Sequence, residues 1–311
     1  MKQKNSIDKI TYNGSDLILA PIAGYSDSGM RTLCFSYGAG LCFTEMVSAK
    51  GLHYKNENTE ELLHIGKEEI NTGVQIFGSD ADIIAEVIRS DALKRFNIID
   101  INMGCPVPKV VKNGDGSALL NNPDLVFDIV KKAKEAAGSR DITVKIRKGI
   151  GGKICAKEIA LAAQEGGASM VTVHGRTREQ MYSGTTDYDI IAEVKSALNI
   201  PVCGNGDVVD IESYKKMKDA GADYVMVARG AIGRPYLFSE LNGTEPEYSV
   251  KKLIRKHIEC LSFLPDKTVC GMMKKQIAAY VKGIPGQKRI KEEIFACVNL
   301  PDMLAVVENL P

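Results

Sequence analysis

Eight short apolar runs, rich in β-branched residues, recur along the chain with helical patterns between them, and this repetition limits the possible folds more than any other feature. They are Leu17–Ala20, Leu41–Met46, Gly73–Phe77, Ile98–Asn102, Ile142–Ile146, Ser169–His174, Ile200–Gly204 and Asp223–Ala228. Successive runs begin roughly 23 to 44 residues apart, room for a strand, a loop, a helix and a return loop. They are continuously apolar, as strands covered on both faces must be. Helix starts are legible between them: Asn122 precedes Pro123 and Asp124, and Ser79 with Asp80 gives a second capping signal. Gly138, Gly166 and Gly221 mark helix ends. Eight right-handed strand–helix units predict an α/β fold closed as a (β/α)8 TIM barrel. A doubly wound open sheet remains the alternative, because it differs only by a reversal of strand order that sequence does not reveal.

After Ala231 the rhythm changes. Asn242-Gly243 and Pro246 punctuate the chain, and helical periodicity follows over Val250–Leu261, Met272–Val281 and Arg289–Val298 without further strands. The expected organisation is a catalytic barrel over residues 1–243 and a C-terminal helical-bundle domain over 244–311. Net charge is only +1, but it is unevenly spread: from Tyr248 onward 11 Lys/Arg face 6 Asp/Glu, whereas the remainder holds 29 against 33. That segregation fits a basic docking module, or else a solvated helix face. Eight cysteines without a CxxC pair argue against a zinc site or a disulfide scaffold, so no metal is expected. Met1–Ile10 is polar, and no run approaches the roughly 20 apolar residues of a spanning helix, so the expectation is a soluble, cytoplasmic protein. No apolar segment is left over to ask for an obligate protein partner, which favours a monomer.

In a TIM barrel the chemistry sits at the C-terminal ends of the strands, and polar residues gather there. Strand one ends in Pro21-Ile22-Ala23, strand four in Asn102-Met103-Gly104-Cys105-Pro106, strand six in His174-Gly175-Arg176, strand seven in Asn205-Gly206-Asp207 and strand eight in Ala228-Arg229-Gly230. The last two loops suit a phosphate site, through Gly206, Arg229 and Gly230. Gln75 and Lys145 lie inside apolar runs, where a polar side chain needs a partner. A flavin ring satisfies both, its pyrimidine edge meeting Gln75 and its negative charge on reduction meeting Lys145; a buried ion pair is the alternative for Lys145. Cys105 stands on a loop fixed by glycine and proline. A thiol with an ordinary pKa is mostly protonated at neutral pH and can act as a general acid untuned, and no triad suggests a nucleophile. His174 suits the cofactor phosphate, the substrate ring, or a hydrogen-bonded layer of the barrel. Lys109, Lys112, Arg176 and Arg178 would make a basic rim for a polyanion, or a merely solvated one.

The motifs NMGCP, GDGSALL, VKIRKG, VHGRTREQMYSG, PVCGNGD and VMVARGAIGRP occur in this order. Together they resemble the tRNA-dihydrouridine synthases from Leu19 to about Ile294. The resemblance implies FMN held by Pro21, Ile22, Ala23, Gln75, Lys145, His174, Asn205, Gly206, Asp207, Ala228 and Arg229. It makes Cys105 the catalytic proton donor, puts Asn102, Arg176 and Arg178 on the substrate side, and makes the tail an RNA-docking domain. The implied reaction has NADPH reduce the FMN, hydride pass from flavin N5 to C6 of a uridine in tRNA, and Cys105 protonate C5. Two stretches depart from the family pattern: PIAGYSD opens the barrel where PMAGVTD is more usual, and KKQIAAYVKG in the tail lacks the family's His and second aromatic. Two other readings compete: a flavin barrel acting on a free small molecule, in the manner of dihydroorotate dehydrogenases, and a non-enzymatic RNA-binding barrel.

Overall fold

The computed structural model describes residues 10, 11 and 14–311, so the polar opening segment, expected to be free of any apolar leader, lies outside the described residues up to residue 9. Each of the eight apolar runs forms a strand: β1 (Leu17–Leu19), β2 (Leu41–Ser48), β3 (Thr72–Phe77), β4 (Ile98–Met103), β5 (Asp141–Ile150), β6 (Met170–Thr177), β7 (Val202–Asn205) and β8 (Tyr224–Val227). Each pairs in parallel with the next. β8 then returns to β1, with Leu17 opposite Val225 and Leu19 opposite Val227. That pairing closes a TIM barrel and excludes the open doubly wound sheet.

Helices follow the strands where capping residues begin them. Asn122 accepts from the Leu125 N–H at the start of Pro123–Ala137, and Asp80 accepts from the Asp82 and Ile83 N–H groups at the start of Ala81–Arg89. Two of the three expected terminal glycines are left-handed, Gly138 (φ 63°) and Gly221 (φ 86°). At the third end the left-handed residue is Gly167 (φ 100°), one position past Gly166. β5 also ends in a hairpin the sequence reading lacked: Gly151 and Gly152, both at positive φ, turn the chain into a short return strand, Lys153–Ile154.

Period-two alternation along the strands sorts their residues between two cores. On β4, Ile99, Ile101 and Met103 pack outward against the helices, whereas Ile98 belongs to a separate cluster inside the barrel. Asp100 and Asn102 follow Ile98 on the inner face, both buried. The interior is thus apolar near the N-terminal strand ends, from Ile18, Leu41, Phe43, Met170 and Tyr224, and polar above.

Four helices complete the chain: Val250–Cys260, Asp266–Tyr280, Gln287–Ala296 and Leu300–Glu308. Three match the expected segments; the fourth, capped by Asn299 with a proline in its first turn, was not anticipated. They share their own apolar core, including Ile254, Met273, Ile277, Ile294 and Met303, which also takes in Leu33 from helix Ser28–Ser36. A buried polar clasp reinforces this junction. Asp27 accepts hydrogen bonds from the Met30 N–H (3.0 Å) and Gln276 Nε2 (2.9 Å), and pairs with His257 Nε2 (2.7 Å), whose other ring nitrogen meets the Tyr280 hydroxyl (2.9 Å). Gln276 Nε2 also reaches the Tyr25 carbonyl at 3.1 Å, so the helical tail holds the loop that follows β1. Among the described residues no helix is long and apolar enough to cross a membrane, and no cluster of His, Cys, Asp and Glu could hold a metal ion.

Candidate active site

A cavity of about 540 Å³ opens at the C-terminal ends of the strands, within the usual size of small-molecule sites. Pro21, Ile22, Ala23, Asn102, Cys105, Lys145, His174, Asn205, Gly206, Asp207, Ala228 and Arg229 all line it. Five other residues singled out from the sequence do not. Gln75 is fully buried behind the wall, donating to Asp100 Oδ2 (2.6 Å) and accepting from Asn102 Nδ2 (2.8 Å). Lys109 and Lys112 lie exposed on the short helix beyond Cys105, and Arg178 is half-buried, 3.6 Å from Glu179.

Arg176 calls for a correction, because it is not on an exposed rim. It is 2 % exposed, and its guanidinium donates to Asp207 Oδ2 (2.5 Å), Thr186 Oγ1 (3.0 Å) and the carbonyls of Ser183 (3.0 Å) and Gly184 (2.6 Å). It sits two residues after His174 on the inner face of β6, and braces the following loop against the β7 loop. Asp207, at φ 53°, accepts from both Arg176 and Arg229. Burial pushes its carboxyl up, but the Arg176 hydrogen bond and charge outweigh that and hold it below the ordinary carboxylate range.

Cys105 is 7 % exposed at the cavity edge, and its loop is held from both sides. Its N–H donates to Asn102 Oδ1 (2.8 Å), and its carbonyl accepts from the Ser117 N–H (3.1 Å) and hydroxyl (2.9 Å). The GDGS stretch is bound up in the same arrangement: Gly116 has φ 60°, and a Cβ there would come within 2.9 Å of Cys105 Cβ. Burial raises the thiol pKa above its ordinary value, despite the nearby positive charges of Arg147 and Lys145. The thiol therefore keeps its proton at neutral pH.

Lys145 projects into the cavity from β5 and donates to Asn205 Oδ1 (2.9 Å), which in turn donates through Nδ2 to the Met226 carbonyl (2.8 Å). Burial and the neighbouring Arg147 lower its pKa to about 8. His174 is pushed down to about 2, first by burial and then by Lys145, Arg147, Arg176 and Arg229, so its imidazole is neutral. Arg147 and Tyr182 are among the lining residues that the sequence did not single out. Arg147 donates to the carbonyls of Gly104 (2.8 Å), Thr177 (2.9 Å) and Met181 (2.9 Å). The signal for it was the inward alternation Thr143, Lys145, Arg147. Tyr182, with Arg229 4.9 Å from its ring centre, stands at the mouth on a loop with no periodicity to betray it.

A closed parallel barrel with a protonated cysteine, a buried lysine and a neutral histidine converging on one cavity at its strand ends is built as an enzyme. The sequence matches the dihydrouridine synthase family over residues 18–310, and the chain belongs to that family, whose members are oxidoreductases. It is 36 % identical over 307 residues to tRNA-dihydrouridine synthase B of Pasteurella multocida, covering 94 % of this chain and 92 % of that protein. Against tRNA-dihydrouridine synthase B of Vibrio cholerae the identity is 39 % over 260 residues, 79 % of this chain and 80 % of the relative. A probable tRNA-dihydrouridine synthase of Treponema pallidum is 32 % identical and covers 98 % and 95 %.

Proposed function

We propose that the chain is a cytoplasmic, monomeric tRNA-dihydrouridine synthase that reduces the C5=C6 bond of uridine in tRNA to 5,6-dihydrouridine, with FMN in the barrel mouth and NADPH as reductant. The observation that carries this reading is that one cavity at the strand ends is lined by Cys105, whose thiol pKa burial raises, together with Lys145 and His174.

The residues present fit a flavin. Lys145 spends one of its three donors on Asn205, and His174 makes no side-chain hydrogen bond among the described residues, so both have capacity facing the cavity. Pro21, Ile22, Ala23, Ala228 and Met226 supply apolar surface for a ring, and Arg229 with the Gly206 and Asp207 backbone supplies the phosphate end. When bound, FMN supplies the hydride that C6 receives. Cys105 then gives its proton to C5, and the thiolate left behind lies near the positive charges of Arg147 and Lys145. Water returns the proton. Gln75 supports the site from behind, through Asn102, which lines the substrate side of the cavity with Arg178 beyond.

A uridine in folded RNA reaches a barrel mouth only when flipped out, which demands a broad basic platform. The surplus of lysine and arginine over residues 244–311, together with Lys109 and Lys112 beyond Cys105, supports docking there. The test is Cys105→Ala with tRNA and NADPH. Dihydrouridine formation should fall by about 100-fold or more, with flavin content and the rate of flavin reduction by NADPH unchanged. Undiminished product would remove Cys105 as the acid, and no product from the unmutated enzyme would shift the substrate to a free small molecule.

A further inference from the structure

One buried carboxylate inside the barrel has no place in the reaction just described. Asp100 is fully buried on the inner face of β4 and does not line the cavity. Its Oδ1 accepts from Thr143 Oγ1 (2.6 Å) and its Oδ2 from Gln75 Nε2 (2.6 Å). Gln75 Oε1 accepts from Asn102 Nδ2 (2.8 Å). Asn102 Oδ1 accepts from the backbone N–H groups of Gly104 (3.1 Å) and Cys105 (2.8 Å).

The two ends of this chain dictate its direction. Backbone N–H groups can only donate, and an ionised carboxylate can only accept. The two amides between them therefore have one arrangement that satisfies every link. Turning the Gln75 amide over would set its carbonyl oxygen against the Asp100 carboxylate, and turning Asn102 over would set its NH2 against two N–H donors. In the buried interior either mismatch carries the full cost of an unmade hydrogen bond. Thr143 holds the carboxylate from its other side.

We propose that Asp100 is a positioning residue for Cys105, acting through Gln75 and Asn102 to fix the loop that carries the thiol. The idea rests on Cys105 being the proton donor. It requires an acceptor at position 100 facing Gln75, not a charge. An asparagine there meets the need, its Oδ1 accepting from Gln75 and its Nδ2 donating to the Thr143 hydroxyl; a leucine of similar shape does not.

The experiment compares Asp100→Asn and Asp100→Leu in the holoenzyme with tRNA and NADPH, and follows alkylation of Cys105 by iodoacetamide, by mass spectrometry of its peptide, as a function of pH. For Asp100→Leu, kcat for dihydrouridine formation should fall about 10- to 100-fold, the size expected of a misplaced reacting group. KM for tRNA and flavin reduction by NADPH should stay within about twofold. Cys105 alkylation should quicken, with a shifted pH profile, as Gln75 and Asn102, which hold the loop, lose their anchor. Asp100→Asn should restore both rate and alkylation profile.

Should Asp100→Leu fail to fold, Gln75→Met cuts the middle link while leaving Asp100 bonded to Thr143, and it should change Cys105 alkylation in the same way. Unchanged alkylation in whichever of these variants folds, or an Asp100→Asn variant as impaired as Asp100→Leu, overturns the proposal. Alkylation needs no RNA, so it judges the chain of contacts even if the unmutated enzyme forms no dihydrouridine, a result that would instead defeat the functional reading.

Discussion

Near the N-terminal strand ends, the barrel interior is filled by Ile18, Leu41, Phe43, Ile98, Met170 and Tyr224, whereas toward the C-terminal strand ends it holds Gln75, Asp100, Asn102, Lys145, His174 and Asn205. The aliphatic and phenyl side chains of the lower set need only volume and shape, since apolar side chains are interchangeable within limits of packing. The upper set is tolerable only because each polar group has a specific partner or faces the cavity. Burial marks the upper set: it pushes Asp100 up to about 6 and Lys145 down to about 8. Stability and chemistry are thus stacked along one barrel axis, and substitutions in the two layers should fail in different ways.

The largest effect belongs to the upper layer. Lys145→Met keeps the bulk of the side chain and removes the ammonium that bonds Asn205 and faces the cavity. Dihydrouridine formation should drop by about 100-fold or more, the scale for deleting one electrostatic donor, and the purified protein should carry less flavin by its visible absorbance. The melting temperature should change little, because a buried cation is relieved of its desolvation. Normal turnover with full flavin would take Lys145 out of the site.

Next comes the lower layer. Phe43 is fully buried in the inner cluster, and Phe43→Ala should cost about 3–5 kcal/mol, as for other large-to-small core substitutions. Urea unfolding measures the loss. Turnover per folded molecule should hold at temperatures where the variant remains native, and a collapse of turnover in fully folded protein would show that the two layers are not separable.

Sequence made the barrel legible because its strands are buried on both faces, so each appears as an unbroken apolar run. It was less informative wherever a residue's role depends on what lies opposite. Gln75 inside a strand demands a partner, but only the β3–β4 register, which sets Gln75 beside Asp100, shows that a carboxylate provides one. Arg176 follows His174 on a polar loop and reads as a rim cation, yet Asp207, 31 residues later, draws it inside. The clasp of Asp27, His257, Gln276 and Tyr280 joins segments some 230 residues apart and has no local signature. By contrast, the hairpin at Gly151-Gly152 and the helix after Asn299 carried ordinary turn and capping signals, and period-two reading of β4 and β5 would have marked Asp100 and Arg147.

The smallest effect separates two titrating groups within the upper layer. His174 has a folded pKa of about 2 against an ordinary 6.5, so below pH 6.5 the unfolded chain takes a proton that the folded chain refuses. Its contribution to stability is complete above pH 6.5 and is lost as pH falls, about 1 kcal/mol between pH 6.5 and 5.5. Asp100 runs the other way: its folded value near 6 exceeds 3.8, so the folded chain gains a proton first and stability rises as pH falls from 6 toward 4. Asp27 and Asp207, both held below 3.8, act only in stronger acid. Within the upper layer the two slopes oppose each other across pH 6.5 to 5. His174→Asn removes one slope and keeps the other, so the difference in unfolding free energy between variant and parent should shift in the variant's favour by about 1 kcal/mol per pH unit through that window. A difference that stays constant with pH would mean that His174 takes up its proton in the folded protein, and that the upper layer can accept one more positive charge beside Lys145, Arg147 and Arg176.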